Sequence, residues 1–486
     1  MLYDLLIIGG GINGCAIARD AAGRGLSVRL VEQNDLASGT SSASTKLIHG
    51  GLRYLELYEF RLVHEALAER ELLLAAAPHI IWPLKFVLPH EKGLRPVWML
   101  RLGLFLYDHL ARRKRLEGSH MVSLKGNALG APLRESYNVG FTYADCWVED
   151  SRLVVLNALD AKERGATITV GTRLTRARRE DGRWIATLEG GPEIEARALV
   201  NAAGPWVSEV IEGALHAHSR KHVRLVKGSH LVARKLYEGE HAYILQNPDG
   251  RIVFAIPYEH DFTLIGTTDV PYEGAPGGVS ISEAETDYLM ESANHFLRKP
   301  VARGDIVWSY SGLRPLYDDG SLNASVVTRD YAFDLDAPEG AAPVLSVFGG
   351  KITTARRLAE HALDDLRDFL PPHGEAWTQG AVFPGGDMEF DEYLVSLKAE
   401  RPFLGDALAL RLARAYGTRA ERFLKAAHST ADLGRDFGCG FTEAELRYLA
   451  ENEWARKADD VLWRRSKLGL HMSAEEQGAL RAFMGG

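Results

Sequence analysis

The chain has 486 residues, 46% of them hydrophobic and 25% charged, with a formal net charge of −8. That balance excludes a disordered, collagenous or coiled-coil protein and lacks the basic excess of a nucleic-acid binder, so no nucleic-acid partner is expected. The length predicts two or three units rather than one core, and three scattered cysteines (Cys15, Cys146, Cys439) build neither a disulfide framework nor a Cys-rich zinc site.

The first residues, Met1-Leu-Tyr-Asp-Leu-Leu-Ile-Ile, lack the basic region of a signal peptide. No stretch reaches 18 consecutive apolar residues, so no membrane-spanning helix is expected. A soluble or surface-bound protein of the cytoplasm is the expectation. Leu5 to Ile8 reads as a strand buried on both faces. Gly9-x-Gly11-x-x-Gly14 breaks it, Cys15 to Arg24 reads as a helix stopped by Gly25, and Val28 to Val31 supplies a second strand, which completes a βαβ unit. Glu32 follows, 18 residues after Gly14. In such a unit the first glycine allows a tight turn, the second lets the backbone approach a pyrophosphate, and the third permits close helix–strand packing. The helix N-terminus favours the negative charge, and an acid in the place of Glu32 holds a ribose hydroxyl and repels a 2′-phosphate. The motif predicts a dinucleotide other than NADP without separating FAD from NAD.

Helical patterning resumes from Phe60 to Ala77 and ends at Pro78. Residues 80–145 read as irregular, with several prolines. Within 85–115 eight Lys and Arg face two acids, around Val97-Trp98-Met99-Leu100 and Leu102-Gly-Leu-Phe-Leu-Tyr107. A basic, aromatic, apolar segment in an acidic protein predicts an interfacial helix on anionic lipid, against the alternative of a buried helix with a solvated charge cluster. Ala158 to Arg164 reads as helix, and Thr167 to Leu188 as a hairpin turning at Asp181-Gly182. Leu199 to Asn201 enters the turn at Gly204; residues 222–310 are dominated by β-type runs; Ser346-Val-Phe348 enters Gly349-Gly350 and a helix from Thr353 to Leu370. A chain that returns twice to glycine turns around a β-rich insertion suits a large cofactor spanning two domains, which favours FAD. Beyond Phe383-Pro-Gly-Gly-Asp387 the pattern turns helical, with Thr442-x-x-Glu445 as a capping box. A boundary near 388 is expected, giving an oxidoreductase unit over 1–388 and a helical C-terminal domain over 389–486.

Several segments together resemble the FAD-dependent, respiratory sn-glycerol-3-phosphate dehydrogenases. They are Gly39-Thr-Ser-Ser-Ala-Ser-Thr-Lys-Leu-Ile-His-Gly-Gly-Leu-Arg-Tyr54, Leu225-Val-Lys-Gly-Ser-His230, Ile265-Gly-Thr-Thr-Asp269 and Tyr310-Ser-Gly-Leu-Arg-Pro315. Thr328-Arg-Asp330, Ser346-Val-Phe-Gly-Gly-Lys351 and Asp460-Val-Leu-Trp-Arg-Arg-Ser-Lys-Leu-Gly469 extend the likeness, with Ser466 where threonine is expected. The glycine fingerprint is widespread, whereas the 39–54 loop is close to diagnostic. The resemblance implies an α/β fold: a doubly wound, glutathione-reductase-like FAD core, an interleaved β-rich substrate domain and the all-helical C-terminal domain. It also implies oxidation of sn-glycerol 3-phosphate to dihydroxyacetone phosphate, electrons passed to a membrane quinone, peripheral attachment to the inner face of the cytoplasmic membrane, and a homodimer. Oxidases of the same substrate carry an insertion that this sequence lacks. The alternatives are such an oxidase using oxygen, or a flavoprotein that binds a phosphorylated ligand without turnover; an NAD-dependent dehydrogenase ranks behind both.

Flavin-dependent oxidation of a secondary alcohol needs a hydride path, a base and an anchor for the anionic end. The resemblance assigns Arg53, Tyr54 and Arg329 to phosphate, and Arg314 to the developing charge on the substrate oxygen. His230, with an ordinary pKa of ~6.5, is the candidate base, with His49 as its rival. Lys351 is placed near substrate or the flavin's pyrimidine edge, where Gly350, Ile352 and Thr353 open a helix. Gly9, Gly11, Gly14, Glu32, Thr40, Ser41, Ser42, Thr45, Lys46 and Gly204 are assigned to the cofactor. Cys15 and Cys146 are expected to be core residues.

Overall fold

The computed structural model describes residues 1–91, 96–217, 219, 221–318 and 330–485. Its first sheet is built on the strand Leu2–Ile8, which pairs in parallel with Val28–Val31 on one side and Glu193–Asn201 on the other. Val344–Phe348 extends the parallel set beyond Glu193–Asn201. Leu5, Leu6 and Ile7 are fully buried, as the continuous apolar run requires of a strand covered on both faces. In this register Ile8 lies beside Val31 and Asn201, and Asn201 beside Ser346, so the turns at Gly9, Glu32, Gly204 and Gly349 all leave from the carboxyl edge of one sheet. That edge is where open α/β sheets hold ligands.

The second sheet has ten strands. At one edge lies the long antiparallel pair Val223–Arg234 and Ile306–Tyr317, which sets Gly228 opposite Gly312, His230 opposite Tyr310 and Val226 opposite Arg314. Phe262–Gly266 pairs on the other side and brings Gly266 opposite His230.

The predicted hairpin is present, with Asp181 and Gly182 both at positive φ (49° and 70°) between Leu174–Glu180 and Arg183–Leu188. Two expectations fail. Residues 80–145, read as irregular, contain the strands Ile81–Pro89 and Val139–Val148, paired over their whole length. The prolines misled because Pro83 lies outside the short stretch where Ile81–Pro89 also pairs with Ala242–Gln246, namely Phe86 and Val87, so its missing N–H is not needed there. The helix expected from Ala158 begins at Asp150, its first turn carrying buried Asp150, Ser151 and Arg152 that periodicity reads as surface.

From Phe390 onward the chain is helical, around its own buried core of Leu397, Leu412, Tyr416, Phe441, Leu449 and Leu462 among others. Thr442 accepts from the Glu445 amide, but the Glu445 carboxylate turns inward to Arg411 (2.7 Å) and Tyr416 (2.7 Å) and completes no capping box.

Candidate active site

A cavity of about 760 Å³ runs from the carboxyl edge of the first sheet to the face of the second. At one end stand Gly9, Gly11 and Glu32; at the other, His230, Arg314 and Lys351. Gly9 has φ +107°, and a Cβ at Gly14 would come 2.0 Å from the Gly9 carbonyl oxygen, so Gly14 does not line the cavity but lets the helix Ile12–Gly23 sit tightly on the turn. Glu32 is held in place by the N–H groups of Gly10 (2.7 Å) and Asn34 (2.8 Å), while burial pushes its carboxyl upward. Ser41 accepts from the Ile12 amide at 3.0 Å, which ties the 39–54 loop to the helix N-terminus. Asn13 donates to the Gly349 carbonyl (3.1 Å), while its Oδ1 is buried with no partner among the described residues. An orphaned acceptor in a glycine cradle fits a bound group that brings its own N–H or O–H.

Thr40, Ser41, Thr45, His49, Tyr54, Gly204, Gly350, Ile352 and Thr353 also line the cavity. The Thr40 hydroxyl donates to the Leu313 carbonyl, and Thr353 Oγ1 accepts from the His49 amide at 3.4 Å. The Lys351 ammonium lies 3.9 Å over the Tyr54 ring. Arg314 is pinned by an ion pair with Asp269 and donates to Thr267 Oγ1 (2.9 Å) and the Thr268 carbonyl (3.2 Å).

Two assignments are corrected. Lys46 does not line the cavity: it is 1% exposed, at positive φ (59°), and its ammonium pairs with the buried Asp150 at 2.8 Å. Asp150 also accepts from Ser44 Oγ at 2.8 Å, so Lys46 shapes the loop from behind. Ser42 likewise stays off the cavity wall and donates to Gly39 O at 3.4 Å. Arg329 and the Arg53 side chain lie outside the described residues.

His230 is also corrected in its electrostatics. It is 1% exposed, stacks on Tyr310 (centroids 4.7 Å apart, planes 16°) and shares a 2.9 Å hydrogen bond between Nε2 and Thr45 Oγ1. The glycine opposite makes room, since a Cβ at Gly266 would meet the imidazole Cδ2 at 2.1 Å. Burial, then the cations Arg314 and Lys46, hold the imidazole well below its ordinary pKa rather than near neutrality.

Reading the sequence missed Glu285. Its Oε1 accepts from Ser229 Oγ (2.9 Å) and Thr268 Oγ1 (2.8 Å), and its Oε2 pairs with Lys227 (2.8 Å). It therefore fixes the residue before His230 and the residue between Thr267 and Asp269. A signal existed in Ser282-x-x-Glu285, a capping box that the structure completes.

A glycine cradle at the edge of a doubly wound sheet, with Lys351 on one of its turns, opening onto a second sheet that offers His230 and Arg314, defines a dinucleotide-dependent oxidoreductase. Comparison with known proteins makes this specific. Residues 4–356 match the family model described as FAD dependent oxidoreductase, and residues 376–484 that of the C-terminal domain of alpha-glycerophosphate oxidase. The chain belongs to the FAD-dependent oxidoreductase family, and FAD is its cofactor.

Among curated relatives it is 54% identical to a glycerol-3-phosphate dehydrogenase of Pseudomonas aeruginosa, over 99% of this chain and 95% of that one. It is 51% identical to a D-erythritol 1-phosphate dehydrogenase of Brucella abortus, over 98% and 96%. The glycerol-3-phosphate dehydrogenase of Bacillus halodurans, solved with FAD, superposes with a TM-score of 0.75 at 27% identity, covering 99% of this chain and 94% of that one.

Proposed function

We propose that the protein oxidises sn-glycerol 3-phosphate to dihydroxyacetone phosphate and passes the electrons to a membrane quinone. The observation that carries this reading is that His230 and Arg314 on the second sheet and Lys351 on a glycine turn of the first all line the dinucleotide cavity, in a chain whose full-length relatives are named for polyol phosphates. Negative charge developing on the substrate oxygen matches a pinned guanidinium, and a secondary alcohol needs a base beside it.

Bound FAD supplies the two-electron acceptor for the hydride that leaves C2. The protein's part is orientation and proton handling. Arg314 and Lys351, with Tyr54 and in this reading Arg53 and Arg329, hold the anion and the substrate oxygen. The neutral His230 accepts the hydroxyl proton at Nε2, where it meets Thr45. An anionic substrate in the cavity offsets part of the cationic field of Arg314 and Lys46 that, after burial, keeps the imidazole's pKa low, so substrate binding favours proton acceptance by His230. His49 lines the same cavity and is the rival for this role.

The membrane enters through the helix Val97–His109. Leu104 and Tyr107 face the core, whereas Trp98 (63%), Leu102 (50%) and Phe105 (55%) are exposed along one stripe, flanked by exposed Arg101, Arg112, Lys114 and Arg115. Apolar side chains facing outward beside cations support attachment to anionic lipid rather than a buried helix. Among the described residues no helix is long and apolar enough to cross a membrane. The oxidoreductase unit is placed at 1–388 and the helical domain at 389–486, and the homodimer belongs to the same reading.

The test is anaerobic mixing of the yellow protein with glycerol 3-phosphate and, separately, with D-erythritol 1-phosphate. Bleaching at lower concentration by the former is expected. Preference for the latter moves the substrate to the longer polyol, and no bleaching by either sinks the substrate class. Oxygen uptake without added quinone would identify an oxidase instead.

A further inference from the structure

The segment Asp460–Lys467 of the C-terminal domain has no part in the chemistry above, yet it reaches the back of the cavity at both ends. At the Glu32 end, Arg465 donates Nη1 and Nη2 to the two oxygens of Asp35 at 2.7 Å each, and Arg464 Nε reaches Asp35 Oδ2 at 2.6 Å. Arg465 is wholly buried and Asp35 is 8% exposed. Arg465 is oriented in turn by the Glu453 carbonyl, which accepts from Nε (3.0 Å) and Nη2 (2.6 Å). Asp35 does not face the cavity. It stands in the short link after Glu32 whose neighbours Gln33, Asn34, Ser38 and Gly39 do. That link is also tied to the cradle, because the Ala37 amide donates to the Gly10 carbonyl at 3.0 Å.

At the other end, Trp463 stacks on Trp308 (4.5 Å, 17°), which leans on Tyr310, which stacks on His230. Lys467 donates to Ser151 Oγ at 3.2 Å, beside the Asp150 that organises Ser44 and Lys46.

We propose that Arg465, with Arg464, is a positioning residue for FAD: by clamping Asp35 it holds the link that presents Glu32, so that cofactor retention depends on the C-terminal domain. Burying an ion pair is a poor route to stability alone, whereas a bidentate guanidinium–carboxylate fixes geometry, and that geometry is needed where a wall contributes to a cofactor site. The proposal rests on FAD as the occupant and not on which polyol phosphate is oxidised.

The test dilutes the holoenzyme and follows the rise of free-flavin fluorescence, beside melting curves of the same samples. Arg465→Lys and Asp35→Asn are each expected to release FAD about tenfold faster or more. The control is Arg411→Lys, which breaks a bidentate pair of the same kind with Glu445 wholly inside the C-terminal domain. It is expected to lower the melting temperature while leaving release within about twofold of the parent. If Arg411→Lys sheds FAD as fast as Arg465→Lys at equal loss of melting temperature, the segment acts only through general stability and the proposal is overturned. Parent-like release from Arg465→Lys and Asp35→Asn overturns it equally. Should neither single variant accumulate folded, the double variant Asp35→Asn, Arg465→Gln decides: an amide pair that releases FAD at the parent rate overturns the proposal, and faster release from a protein of parent-like melting temperature upholds it.

Discussion

Replacing Glu285 by glutamine separates the charge of this carboxylate from its shape. Its Oε2 accepts from the Ser282 amide and hydroxyl (2.9 Å each) and meets Lys227 at 2.8 Å; its Oε1 takes the hydroxyls of Ser229 and Thr268. Burial pushes the carboxyl up, but Lys227, the Ser282 amide and the two hydroxyls outweigh it and bring the group from 4.5 to about 2. That difference corresponds to about 3 kcal/mol. Lys227 is 14% exposed, and screening by solvent brings the usable figure to about 2 kcal/mol. Because the folded value is depressed, the contribution is fully present above pH 4.5 and is lost as pH falls toward 2. Glutamine keeps one acceptor oxygen but turns an amide N–H₂ toward donors, so Glu285→Gln carries the loss at every pH. Scanning calorimetry should show the variant melting roughly 2 °C below the parent at pH 7, with the gap narrowing below pH 4.5 and closing toward pH 2. Turnover should fall as well, because Ser229 and Thr268 are neighbours of His230 and of the Arg314 anchors. A melting gap that is the same at pH 7 and pH 3.5 would refute the charge argument, and unchanged turnover would detach Glu285 from the site.

Gly14→Ala places a methyl 2.0 Å from the Gly9 carbonyl, so the purified variant should be colourless or nearly so, read from its flavin-to-protein absorbance ratio; full yellow occupancy would contradict the cradle. Of the three thiols, Cys15 and Cys146 are buried and pushed far up by that burial, while Cys439 is exposed. A thiol reagent should therefore titrate one group per native chain and three after denaturation. Trp98→Asp with Phe105→Asp should abolish co-sedimentation with anionic vesicles and leave flavin content intact; undiminished binding would remove the helix Val97–His109 from the membrane account.

How much of this was legible in the sequence depended on whether the signal was local. The βαβ unit from Leu2 to Val31 reads directly, because a buried parallel strand, a glycine turn and a following acid each impose a residue type at a fixed spacing. The hairpin at Asp181-Gly182 reads for the same reason, since positive φ at both positions selects those residues. Arg314 and His230 could be named but not placed. Their setting comes from a register between Val223–Arg234 and Ile306–Tyr317, strands more than 70 residues apart in the chain, and no local pattern carries it. The depressed basicity of His230 is invisible for the same reason, being set by Arg314 and Lys46 together with burial.

Lys46 shows the limit most clearly. A lysine within a cofactor-binding loop reads as a ligand, because the phosphate or flavin is the only anion that the local sequence suggests. The fold supplies a nearer one: Asp150 opens the helix Asp150–Glu163 from a hundred residues away, is fully buried, and captures the ammonium before any ligand arrives. Its carboxyl stays charged although burial opposes it, because Lys46, then Lys467 from the C-terminal domain, hold it low. The same three groups therefore bring the 39–54 loop, the oxidoreductase core and the helical domain to one buried point, and a loop that looks self-sufficient in sequence is held by a carboxylate about a hundred residues later, itself kept charged in part by Lys467 of the C-terminal domain.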